Sequence, residues 1–90
     1  MANFQARVFV NLRPSVLDPA GEAARSAAKR LGVDGIQKLR IGKLVDLSID
    51  ATNEKEARQR VEMLAERLLS NPVIEDWSLE INASESSLLD

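Results

Sequence analysis

Residues 4–13, FQARVFVNLR, alternate at every step: Phe4, Ala6, Val8, Val10 and Leu12 fall on one side, with Gln5, Arg7, Phe9, Asn11 and Arg13 on the other. A period of two rich in β-branched residues predicts a strand with one buried face, ended by Pro14. The pattern then changes to helical spacing. Asp18 before Pro19 has the arrangement of an N-cap followed by proline at the first helical position. Glu22 falls in the opening turn, and Ala20, Ala23, Ala24, Ala27, Ala28 and Leu31 form a stripe of small residues suited to close packing on a sheet. Lys29 and Arg30 close the last turn, with Gly32 placed as the residue after the C-cap.

Between Ile36 and Asp50 the period returns to two, through Leu39 and Ile41 and then Val45, Leu47 and Ile49. Gly42-Lys43 between these runs predicts the corner of a β-hairpin, with glycine supplying a positive φ. Asn53 with Glu56 three residues on opens a second helix in the manner of a capping box. Its apolar positions are Ala57, Val61, Leu64, Ala65 and Leu68, and Asn71-Pro72 ends it. A last strand follows, with Val73, Trp77, Leu79 and Ile81 on one side.

The expected order is therefore βαββαβ: an α/β (α+β) ferredoxin-like sandwich with a four-stranded antiparallel sheet and two helices on one face. The single domain spans residues 1–82, and the Ser-rich, acidic stretch 83–90 is expected to be a disordered tail. The other sheet face is too polar for a core; it and the two edge strands are places for a partner.

Composition narrows the chemistry. The chain has 90 residues with neither histidine nor cysteine. The commonest general base, the commonest metal ligand and every thiolate are missing at once. Its 12 basic residues are scattered among 14 acidic ones, so no basic face for nucleic acid is expected. No apolar run approaches a membrane span, and the N-terminus lacks a signal-peptide pattern. A cytoplasmic protein is the expectation.

Gly42-Lys43 also tests a nucleotide site. A phosphate-binding loop needs glycine five residues before Gly-Lys and Ser or Thr after it. Here Gln37 and Leu44 hold those places, and strand rather than helix follows. Asp46, Ser48 and Asp50 share a strand face and read as solvated residues; no metal site is expected. The residues by themselves predict a non-catalytic module that works through surface contacts. A small-molecule-sensing module of the ACT type is the competing class.

Several stretches together resemble the PurS family of small subunits of phosphoribosylformylglycinamidine synthase: LRPSVLDPAG after the first strand, VDGIQKLRIGKLVDLSID in the middle, and LLSNPVIEDWSLEI at the end. The resemblance covers residues 4–81 in order. It implies a part in purine biosynthesis, in the glutamine-dependent amidation of formylglycinamide ribonucleotide. The chain would be an assembly subunit of that ATP- and glutamine-dependent carbon–nitrogen ligase, without catalytic residues of its own. It would bridge a large synthetase subunit, which binds ATP and Mg, and a glutaminase subunit, and aid ammonia transfer between them. No cofactor is expected on this chain. A homodimer is the expected assembly, and whether the isolated chain goes on to a tetramer is left open. The candidate partner contacts are Pro14, Asp18, Arg40, Gly42, Lys43, Asn71, Pro72, Glu75 and Asp76.

Overall fold

The computed structural model describes residues 1–83. Strand β1 (Ala2–Leu12) leads to helix α1 (Pro19–Arg30), strand β2 (Lys43–Ala51), helix α2 (Glu54–Leu64) and strand β3 (Glu75–Ala83). The sheet order is β2-β1-β3. Both neighbours run antiparallel to β1, with Val10 opposite Lys43 and Leu12 opposite Glu75 at one end. β2 and β3 are thus parallel to each other, and α2 crosses over β1 to join them. The tail expected over 83–90 lies outside the described residues, apart from Ala83, which closes β3.

Alternation in β1 produces the core as expected. Phe4, Ala6, Val8 and Val10 are buried, with Ala51 of β2, Ile81 of β3, and Ala57 and Val61 of α2. Small residues on α2 let its axis approach the strands. Asn53 caps α2 by accepting from the Glu56 N–H at 2.8 Å. The Glu56 carboxylate takes the Thr52 hydroxyl at 2.6 Å, an adjacent partner in place of the reciprocal capping-box bond. α2 then widens into one π-helical turn, Ala65–Leu69, closed by the Ser70 N–H and hydroxyl, which both donate to the Ala65 carbonyl at 3.0 and 2.7 Å.

Two expectations are corrected. The sheet of the described residues has three strands, not four, because Ile36–Ile41 joins no ladder. A tight hairpin needs positive φ at its corner, and among the described residues only Gly32 and Gly35 have it, each at 91°. Gly42 instead lies flat against β1, where a Cβ would overlap the Asn11 side chain and come within 2.7 Å of the Val10 carbonyl oxygen. The chain passes this point straight into β2. Lys38 and Arg40 consequently lie off the sheet.

Nor do two helices cover one face. α2 packs on all three strands, whereas α1 projects beyond the end of the sheet and lies against its own return segment. The radius of gyration, 17.0 Å, exceeds the roughly 12 Å of a compact chain of this length. Local signals in α1 were nonetheless correct. Asp18 caps it, and Gly32 ends it in a Schellman motif, with Val33 N–H on the Ala28 carbonyl and Gly32 N–H on that of Lys29, both at 3.0 Å. An alanine stripe offers little apolar area, so its burial does not outweigh the polar contacts that hold the arm outward.

Candidate functional site

Those contacts sit where β1 ends and β2 begins. The Asp18 carboxylate accepts from the Gly21 N–H at 2.9 Å, as a helix cap, and from the Ile41 N–H at 2.8 Å, on the returning chain. One side chain thereby fixes both ends of the arm. Arg40 adds a second tie by donating to the Arg13 carbonyl at 2.8 Å and the Leu12 carbonyl at 3.4 Å. These two ties hold Arg40 and Ile41 to the end of β1 and the start of α1, where the segment before Gly42 joins no ladder.

Asp18 is buried among the donors it serves. The Ile41 N–H above all, then the Gly21 N–H, hold its carboxyl below the ordinary 3.8; partial burial opposes them, and the Arg40 charge and the Ala20 N–H reinforce them. A depressed folded-state value means the contribution is fully present above the ordinary carboxylate range and is lost as pH falls through the lower folded value. The arm is therefore expected to hold from neutral pH down to about 4 and to loosen only below that. Amide exchange at Gly21 and Ile41, followed from pH 7 to 3, checks this; Asp18→Asn, which cannot titrate, removes the transition. Protection that declines steadily between pH 7 and 5 contradicts it.

The second cluster lies across the end of β1, at the start of β3. Arg13 joins the two strands: its N–H donates to the Ile74 carbonyl at 2.8 Å, its guanidinium bonds the Pro72 carbonyl, and its Nε lies 3.3 Å from Asp76 Oδ1. Asn71 builds the turn, its side chain accepting from the Val73 N–H at 3.0 Å and its own N–H donating to Glu75 Oε1 at 2.6 Å. Trp77 is anchored by its indole N–H on Glu66 at 2.7 Å.

All nine sequence-derived candidates thus fall at one end of the sheet. Asp18, Arg40, Gly42 and Lys43 gather on the β2 side, and Asn71, Pro72, Glu75 and Asp76 on the β3 side. Pro14 lies in the turn leaving β1. Lys43 and Glu75 share the apolar side of the sheet and, with Val10, Leu12, Ile41 and Gly42, line a shallow depression of about 300 Å³. Leu17 and Val73 are about three-quarters exposed at the same end. Arg13 and Gly21 were missed. The signal for Arg13 was its place directly after the alternating strand; that for Gly21 was a glycine in the first turn of a helix with no need of it.

Among the described residues the two carboxylates with shifted values, Asp18 and Glu56, are both lowered, which makes them poorer bases. Among the described residues no cluster of three acidic side chains could hold a metal ion, and no helix is long and apolar enough to cross a membrane. Apolar side chains beside rigidly tied polar loops are the anatomy of a protein contact.

Comparison with known proteins points the same way. A family model described as PurS, phosphoribosylformylglycinamidine (FGAM) synthase, matches residues 5–83. The chain is 43% identical over 86 residues to the phosphoribosylformylglycinamidine synthase subunit PurS of Synechocystis, covering 96% of this chain and 86% of that one. With the Mycobacterium leprae subunit of the same name it shares 45% over 75 residues, 83% of this chain and 91% of the other. Among solved structures, that of PurLQS from Thermotoga maritima superposes with a TM-score of 0.84 at 32% identity, covering 91% of this chain and all of the matched one.

Proposed function

Because the chain belongs to the PurS family of phosphoribosylformylglycinamidine synthase subunits, we propose that it is the assembly subunit of that ligase complex in cytoplasmic purine biosynthesis. It bridges the ATP-dependent synthetase and glutaminase subunits during glutamine-dependent amidation of formylglycinamide ribonucleotide. ATP and Mg act on the large subunit. Ammonia set free in solution protonates and diffuses away, so holding the two active sites in register is the chain's contribution to turnover. The observation that carries this reading is the match over residues 5–83 in a chain without imidazole or thiol groups.

The contacts fall at the end of the sheet that carries Asp18, Arg40, Gly42 and Lys43 on one side and Asn71, Pro72, Glu75 and Asp76 on the other, with Pro14 between the clusters. A homodimer supplies what α1 lacks. A helix of 12 residues is marginal without tertiary packing, and a two-fold contact sets the exposed Ala20, Ala23 and Leu31 against the open apolar end of a second copy's sheet.

The test is reconstitution. The purified chain is expected to show neither ATPase nor glutaminase activity. Added to the two larger subunits, it is expected to restore glutamine-dependent synthesis, while synthesis from ammonium salts needs it far less. Full glutamine-dependent activity without this chain refutes the reading.

A further inference from the structure

The sheet face turned away from α2 is not an idle solvent face. Its side chains form ordered rungs across β2 and β1. Arg7 bonds Asp46 at 3.1 Å, Asn3 bonds Asp50 at 2.9 Å, and Ser48 donates to Asn3 at 3.0 Å. On the β3 side Glu80 stands opposite Arg7, and Asp76 is bonded by Arg13 at 3.3 Å. Counting the charges settles its sign: Asp46, Asp50, Asp76 and Glu80 face two arginines and no lysine, and both arginines are already engaged with carboxylates. Amid this polar surface Phe9 lies directly beside Leu44, which is 49% exposed. One of the two phenylalanines in the chain is thus spent on the side the core does not use.

We propose that this acidic face, with the Phe9–Leu44 pair as its apolar anchor, is a docking surface for a lysine- and arginine-bearing patch on a neighbouring synthase subunit. The inference rests on the assembly role proposed above and assigns it a second surface, distinct from the end of the sheet. Charge selects the occupant. A second copy of the chain would set Asp46, Asp50 and Glu80 against their own kind, and nucleic acid would meet like charge. A basic protein surface meets neither penalty. The cross-strand bonds hold the rungs in place before binding, so little side-chain entropy remains to be lost on contact. An aromatic–aliphatic centre ringed by polar groups is the arrangement in which truncating one anchor costs most.

The experiment measures binding of the full chain to each larger subunit at low and high salt, with sedimentation of the chain alone as a parallel readout. Wild-type binding to one subunit is expected to weaken with salt. Asp46→Lys/Glu80→Lys should weaken it by about tenfold and flatten the salt dependence. Phe9→Ala should weaken it by a similar factor with the salt dependence kept, and Ser48→Arg, at an exposed position remote from the core, guards against misfolding of the others. Unchanged affinity in folded variants overturns the proposal, as does a shift in the self-association of the chain without loss of partner binding. Failure of the wild-type chain itself to bind either subunit would instead refute the assembly role.

Discussion

Replacing Gly21 by alanine is expected to lower stability by about 1–3 kcal/mol and to damage assembly more than folding. The first turn of α1 runs so close to the returning chain that a Cβ at Gly21 would overlap the Leu39 carbonyl oxygen and lie 2.7 Å from Asp18 Oδ2. Neither neighbour can step aside cheaply. The Leu39 oxygen is backbone, and the Asp18 carboxylate is held by two N–H donors at 2.9 and 2.8 Å. Relief therefore means moving segment 39–41 away from α1, which breaks the Asp18–Ile41 bond and frees the arm to swing. The core under α2 is remote from this point, so urea unfolding of the sheet should stay cooperative. The partner-dependent activity should fall well below wild type even at temperatures where the variant is fully folded. A variant with an unchanged urea midpoint and full reconstituted activity would show that the arm needs no fixed angle.

Val61→Ala is expected to do the reverse. Val61 is fully buried, on the side of α2 that faces Phe4, Val8 and Ile81 in the core. Losing two methyl groups and leaving a void there costs about 2–3 kcal/mol, a large share of the roughly 5–13 kcal/mol that a domain of this length holds. The urea midpoint should drop markedly, while assembly at low temperature survives because no contact residue moves. Met63→Ala, two positions on and 58% exposed, is the control, with an expected change within about 0.5 kcal/mol. Equal midpoints for the two variants would mean that α2 is not what seals the sheet.

The contrast follows the anatomy. β1 was legible because it reports its packing in its own periodicity: Phe4, Ala6, Val8 and Val10 are apolar at every second place because one side of β1 is buried. α2 and β3 were legible in part, since the π-helical turn leaves Leu68 exposed and packs Leu69 on the core instead, and Val73 is exposed in the turn before β3. Both caps of α1 were legible too, since Asp18-Pro19 and Gly32 act within one turn. The hairpin was misread because Leu39, Ile41, Gly42 and Lys43 carry the same local signature whether the chain reverses or runs on. What decides is the backbone angle at Gly42 and the capture of the Ile41 N–H by a residue 23 positions earlier. The candidate contacts came from helix punctuation and family resemblance, and they do converge. Arg13 escaped because its partners, Pro72, Ile74 and Asp76, become neighbours only through the β1–β3 register.

By itself, then, the order of residues settled what short-range physics can settle: that β1, β2 and β3 are strands and α1 and α2 helices, where each helix is capped at its start, which side of β1 is apolar, and that no imidazole or thiol chemistry is available. The tertiary structure decided where α1 goes. A stripe of alanines has too little apolar area to choose between lying on the sheet and standing off its end, so two long-range polar ties, through Asp18 and Arg40, made the choice.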